Sequence, residues 1–188
     1  MCFVLISKYI IEINNENFKI DRVGADNFVQ TFAFVADEKF DYRKNERKFK
    51  ELPDDLFDDD LRNMLKFVSF KLSSYLKKYK FAITVHHTFI FCENGKKSTN
   101  SPEGIHQDGM DFIMSAFVID RKNISGGKSV IYANDKETKL FETTLKNGQG
   151  IIQQDLNSEL WHEVTEISQI NANEIGYRSS IGFDIEVL

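Results

Sequence analysis

From residue 80 to the end, the chain is a succession of short apolar or alternating segments, each closed by turn-forming residues. This pattern restricts the fold more than any other feature. Phe81 to Cys92 reads as a strand, followed by a polar loop from Glu93 to Pro102 that contains Gly95. Asp111 to Ile119 reads as a second strand, ended by the polar run Asp120 to Asn123. Gly126-Gly127 marks a turn, and Ser129 to Ala133, Gly148 to Gln154, Trp161 to Ile167 and Arg178 to Val187 supply four more strands. Many short strands separated by turn chemistry point to an all-β barrel or sandwich.

The first 80 residues are less regular. Residues 2–13 carry Phe3, Leu5, Ile6, Ile10, Ile11 and Ile13, a pattern compatible with a helix or a strand. Phe28 to Ala36 is rich in β-branched and aromatic types and is expected to be a strand. In residues 54–79, Leu56, Leu61, Leu65, Leu72 and Leu76 with Phe57, Met64 and Val68 form a helical stripe; Phe67, Ser69 and Lys71 against Val68, Phe70 and Leu72 also permit a strand, and a helix is expected there. With 188 residues and no repeat or low-complexity linker, one domain spanning residues 1–188 is expected. Seventeen Phe residues predict a ring-packed core.

Composition narrows the function classes. A net charge of −5 and a pI of about 5.4 argue against nucleic acid as a partner, because phosphate binding needs a basic surface. The dense basic stretch Arg43 to Lys50 includes Glu46, is followed by Glu51, and reads as a solvated face. Cys2 and Cys92 lie far apart, which fits neither a disulfide framework nor a zinc site. The apolar opening MCFVLISKYI has no basic start and no small-residue cleavage site, and no run reaches membrane-spanning length. A cytoplasmic, reducing location without membrane association is therefore expected.

The chemistry-bearing residues sit in the strand-rich part. His106-Gln107-Asp108 places an imidazole and a carboxylate at i and i+2, which face the same side of an extended segment. Gly104 and Gly109 flank it and let the backbone bend. His162, on a distant strand, would complete a two-His-one-carboxylate face that leaves three coordination positions open, the arrangement of non-haem iron(II) oxygenases. Arg178 opens the last strand, with Ser180 and Gly182 on the same face. An arginine and a hydroxyl converging in an interior make a carboxylate clamp. The structural alternative is an Arg178 ion pair with Glu163, Glu166 or Asp184.

At these residues the chain resembles a known family. Pro102-Glu103-Gly104-Ile105-His106-Gln107-Asp108-Gly109-Met110-Asp111-Phe112 resembles the PEGxHxDGxDF signature of bacterial 2-oxoglutarate/Fe(II) dioxygenases, a group that includes L-isoleucine 4-hydroxylases and related free-amino-acid hydroxylases. Arg121 to Ser129, Leu160 to Val164 and Gly176 to Ser180 look like three further motifs of that group, so the likeness covers residues 80–188. It implies a mainly β, double-stranded β-helix (jelly-roll) fold with helices mostly in the N-terminal half. It implies iron at His106, Asp108 and His162, and the distal carboxylate of 2-oxoglutarate on Arg178 and Ser180, with O2 as oxidant and ascorbate as a stimulant. The pair His86-His87 departs from the family pattern, and at most one of the two can point inward.

A carboxylate at Asp108, where Ala or Gly would free a position for halide, favours hydroxylation over halogenation. The resemblance implies a free L-amino acid as substrate, and the many Phe residues favour an isoleucine- or leucine-like side chain. Arg121 is a candidate for its carboxylate, and Glu103 and Asp111 are candidates for its ammonium. Two other readings compete: a hydroxylase of protein or peptide side chains, and a non-catalytic jelly-roll binding module.

Overall fold

The computed structural model describes residues 1–14, 17–24, 28–30, 32–36 and 47–188. Arg43 to Glu46, the first half of the basic stretch, lie outside the described residues. In chain order the elements are β1 (Cys2–Asn14), β2 (Asn17–Val23), β3 (Phe34–Val35), β4 (Lys50–Glu51), α1 (Asp59–Leu76) and β5 (Lys80–Cys92). Then follow β6 (His106–Gln107), β7 (Phe112–Lys122), β8 (Ile124–Gly126), β9 (Ser129–Tyr132) and β10 (Lys139–Thr143). The chain ends with β11 (Gly150–Gln154), β12 (Trp161–Val164), β13 (Ile167–Gln169) and β14 (Gly176–Val187).

Two sheets dominate. The larger runs β11-β7-β14-β5-β1-β2, with β4 added beside β1, and the smaller runs β10-β9-β12-β6-β3. Strands far apart in sequence are neighbours: β14, the last, lies between β7 and β5. This is the jelly-roll arrangement, mostly β, with its single α-helix among the described residues in the first half.

Period-two alternation decides which face each long strand gives to which neighbour. On β5, Phe81, Ile83 and Val85 join Ile181, Phe183 and Ile185 of β14 and Tyr9, Ile11 and Ile13 of β1 in one buried cluster. Helix α1 covers that face through Leu61, Leu65, Val68 and Leu72. Their i, i+4, i+7, i+11 spacing makes one apolar stripe. The helix is started by Asp58, whose side chain accepts from the Leu61 N–H at 2.9 Å, with Asp59 and Asp60 against the positive end of the dipole. It is ended by Lys77 in the left-handed region at φ 56°. The opposite faces of β5 and β14 are thereby left for the interior between the sheets; they carry His86, Thr88, Ser180, Gly182 and Asp184, which line a cavity there, and Arg178 on the same face of β14.

Several local expectations change on folding. Residues 2–13, open between helix and strand, are a strand. The strand expected over 28–36 shrinks to Phe34–Val35, because the Ala33 N–H bonds the Gln30 carbonyl at 3.1 Å and closes a turn. The helix is shorter than the 54–79 stripe, with a separate 3₁₀ turn at Asp54–Leu56. The strand expected over 161–167 breaks in two: Val164 pairs with Ser129 of β9, whereas Ile167 pairs with Gly126 of β8. The phenylalanines divide: Phe28, Phe81 and Phe183 are buried, whereas Phe3, Phe32, Phe34, Phe67, Phe70 and Phe89 are exposed. Cys2 is exposed and Cys92 buried, and both are free thiols. Among the described residues no helix is long and apolar enough to cross a membrane.

Candidate active site

Strand register brings the two histidines together. β6 is only two residues long, yet it pairs on one side with β12, His106 opposite His162, and on the other with β3, His106 opposite Val35. The two imidazole centroids are 4.1 Å apart. Asp108 follows immediately, its Oδ1 3.7 Å from His106 Nε2 and its Oδ2 3.4 Å from His162 Nε2. Each of the three offers one donor atom, and these atoms all lie within 4.8 Å of one another. His106 Nδ1 is 2.6 Å from the Gly104 carbonyl. A carbonyl only accepts, so Nδ1 carries a proton, and Nε2, 3.4 Å from Glu103 Oε1 and 3.7 Å from Asp108 Oδ1, is the nitrogen turned to the shared space.

Glycine is required in this loop. Gly109 has φ +83°, and a Cβ there would run into the Phe32 carbonyl. A buried carboxylate does the rest: Asp155, fully inaccessible, accepts from the N–H groups of Asp108 (3.2 Å), Gly109 (2.7 Å) and Met110 (3.0 Å). Burial, with the Asp108 carboxylate beside it, pushes the Asp155 carboxyl up to about 6. Gln107, pointing away from the histidines, donates through Nε2 to the carbonyls of Asp155, Ser158 and Leu160 and ties β6 to the approach to β12.

Arg178 is 1% exposed and is the largest fully buried side chain. None of the three acids considered for an ion pair meets it: Glu163 accepts from the Tyr132 hydroxyl, Glu166 pairs with Lys97 and Asp184 with His86. Its Nε and Nη1 have no hydrogen-bond partner among the described residues. Burial, and the Arg121 guanidinium beside it, pull Arg178 down to about 10. A buried cation in this condition calls for an anion. Arg178 is not itself on the wall, but Ser180, two residues on along the same face of β14, lines a cavity of about 530 Å³ that also reaches His106, Asp108 and His162. Volume and donors together suit a small dicarboxylate and a second small molecule.

The remaining candidates separate. Glu103 lines the cavity, its side chain 4% exposed and its Oε1 3.4 Å from His106 Nε2. Arg121 does not reach the cavity: its guanidinium donates to the carbonyls of Leu145 (3.0 Å) and Gly126 (3.2 Å) and fastens the turn beside Arg178. Asp111 is also turned away, accepting from the Val187 N–H at 2.8 Å and anchoring the end of β14. His86 lines the cavity, its Nε2 3.1 Å from Asp184 Oδ2. His87, on the opposite face, meets the Ser179 hydroxyl at 3.2 Å, and burial lowers its pKa.

The sequence profile described as 2OG-Fe dioxygenase matches residues 6–184. The chain belongs to this family. It is an Fe(II)- and 2-oxoglutarate-dependent dioxygenase, which excludes the non-catalytic reading. Two imidazoles and a carboxylate within reach of one ion, and a buried arginine two residues from Ser180 on the cavity wall, with donors unmet among the described residues, fit that pair of cofactors.

Solved structures agree on the fold. A bsmA homolog from Methylobium petroleophilum PM1 superimposes with a TM-score of 0.79 at 16% identity, over 99% of this chain and 71% of that one. IDO from Bacillus thuringiensis gives 0.74 at 14% identity, over 99% and 74%. TqaL, an Fe(II)/(alpha)ketoglutarate-dependent dioxygenase, gives 0.71 at 13% identity, over 99% and 67%. No curated protein sequence matches significantly.

Three dioxygenase site residues escape a reading of the sequence: Asp155, Gln107 as an anchor, and Gln30, which contacts Asp108 across 78 positions. No short-range pattern marks Asp155 or Gln30. The only signal in the sequence was the position of Gln107 inside the HxD motif.

Proposed function

We propose that this dioxygenase hydroxylates a free L-amino acid, with iron held by His106, Asp108 and His162 and the distal carboxylate of 2-oxoglutarate held by Arg178 and Ser180. The observation that carries the reading is Arg178: a buried guanidinium with two donor nitrogens unpartnered among the described residues, on the face of β14 that also carries Ser180 on the cavity wall. When bound, iron with 2-oxoglutarate and O2 supplies the oxidising power to hydroxylate a C–H bond, and 2-oxoglutarate leaves as succinate and CO2. The protein's part is geometry and dryness. His106 is fixed in one tautomer by Gly104, Asp155 pins the loop that carries Asp108, and Arg178 orients the co-substrate along β14.

A small substrate suits the cavity, whose volume of about 530 Å³ must hold both molecules. Glu103 is the group placed to accept the substrate ammonium, since it is buried and lines the cavity. An isoleucine- or leucine-like side chain is favoured, against Val4, Phe28, Phe49 and Met114 on the wall. Neither nucleic acid nor membrane is a partner in this reading, the enzyme works in the cytoplasm, and ascorbate stimulates it by keeping iron ferrous.

The test is a mass-spectrometric screen. Protein, Fe(II), 2-oxoglutarate and ascorbate are mixed with the protein amino acids under air. A product heavier by one oxygen from one amino acid, with matching succinate, is expected. Succinate without any such product, together with oxygenation of a peptide, would move the activity to peptide side chains.

A further inference from the structure

Gln30 belongs to none of the sequence motifs, yet it is 4% exposed and lines the cavity. Its amide is oriented by three charged neighbours. Nε2 donates to Asp108 Oδ1 at 2.9 Å and to Asp184 Oδ2 at 3.3 Å, and Oε1 accepts from Arg47 Nη2 at 2.7 Å. The reverse orientation would set a carbonyl against two carboxylates and an NH2 against a guanidinium, so one amide sense is enforced. The neighbours are themselves held. Asp184 Oδ2 lies 3.1 Å from His86 Nε2, the His86 ring meets Phe28 edge-on at 4.8 Å, and the Arg47 guanidinium lies over the Phe28 and Phe49 rings at 5.1 and 5.5 Å. Gln30 is thus the connector of a polar chain along one cavity wall, and it ends on a proposed metal ligand.

The consequence concerns Asp108. Its two oxygens are inequivalent: Oδ1 accepts from Gln30 and lies 3.7 Å from His106 Nε2, while Oδ2 lies 3.4 Å from His162 Nε2. A carboxylate binds a metal through one oxygen or two. With two histidines and one oxygen, an octahedral ion keeps three positions. 2-Oxoglutarate, when bound, would take two through its 2-oxo acid group and leave the last open. A second Asp108 oxygen would close it. We propose that Gln30 is a positioning residue that restricts Asp108 to ligation through Oδ2 and so preserves the third open position. This rests on the reading of His106, Asp108 and His162 as the ligands.

The test uses Co(II) as a spectroscopic stand-in, so it needs no knowledge of the substrate. Gln30→Leu removes both functions of the amide at similar volume. Gln30→Glu keeps the shape and the acceptor for Arg47 but turns a negative oxygen toward Asp108 and Asp184. Both variants are titrated with Co(II) anaerobically and their visible absorption is compared with the parent protein. Loss of a ligand-orienting partner weakens metal binding by about 10- to 100-fold, and the band intensity and shape change with the coordination number. The KM for 2-oxoglutarate, set by Arg178 and Ser180, moves by far less. Should Gln30→Leu fail to fold, Gln30→Glu alone decides, because it retains the Arg47 contact. Folded variants that bind Co(II) with the parental affinity and spectrum would overturn the proposal. A parent protein that binds no Co(II) would instead overturn the ligand reading beneath it.

Discussion

Replacing Arg178 with methionine separates the two readings of that residue by sign. As a structural cation, Arg178 would stabilise the fold, and Arg178→Met would unfold it. As a co-substrate anchor it is a buried charge with unmet donors, and the fold should gain from its removal. The depression of its pKa from 12.5 to about 10 corresponds to roughly 3 kcal/mol of unfavourable charge burial at about 1.4 kcal/mol per unit. For a chain of this size, about 1 kcal/mol moves Tm by roughly 2–4 °C. Methionine fills much of the same volume, so Tm without ligands is expected to stay level or rise by up to about 10 °C. Binding should move the other way. Two charge-assisted hydrogen bonds to a carboxylate, at about 1.5–3 kcal/mol each, total about 3–6 kcal/mol, or a loss of roughly 10²- to 10⁴-fold in affinity. Thermal denaturation with and without 2-oxoglutarate, in the presence of Mn(II) under nitrogen, reads both effects. The parent should be stabilised by 2-oxoglutarate and Arg178→Met should not. A variant that loses many degrees of Tm without ligand, yet still responds to 2-oxoglutarate like the parent, would refute the anchor argument.

Other perturbations give separate readouts. Gly109→Ala puts a Cβ into the Phe32 carbonyl at φ +83°, so the Asp108 loop must shift. Metal affinity should fall at least about tenfold, the effect of disturbing a ligand's support, and unchanged affinity in a metal titration would count against the loop geometry. Leu65→Ala, at a fully buried position where α1 meets the sheets, should cost about 2–5 kcal/mol in urea denaturation while the folded fraction still binds metal. Glu142 is held down to about 2 by hydrogen bonds from Lys128 and Lys139. A carboxylate depressed in the folded state supports the fold above its ordinary range and loses that support as pH falls toward 2. An NMR titration should show the low midpoint, and one near 4.5 would mean that the Lys128–Glu142 and Lys139–Glu142 pairs do not persist in solution.

How much could be read beforehand follows from the range of the interactions. The long strands β5, β7 and β14 announce themselves by alternation, because each buries one face on α1 and the other on the cavity. The HxD motif and Arg178-Ser180 were visible for the same reason: i and i+2 share a face whatever lies opposite. Pairing across the fold was not visible. β6 is two residues long and exists only because β3 and β12 flank it, so its local sequence carries no period. Asp155 and Gln30 reach their partners over 46 and 78 positions, respectively, and an acid or amide in a loop looks like any other until the sheets close. Arg121 and Asp111 show the converse. Their nearness to the motifs suggested substrate contacts, but turn carbonyls and a strand-end N–H had already claimed them.

The central claim is that His106, Asp108 and His162 hold iron and that Arg178 delivers 2-oxoglutarate to it. The most direct measurement is an anaerobic titration of the Fe(II)-loaded protein with 2-oxoglutarate, followed by visible charge-transfer absorption. The account predicts one iron per chain and a saturable band, with no iron retained by His106→Ala and no band in Arg178→Met at the same co-substrate concentration. An iron content and a band that survive both substitutions would contradict it.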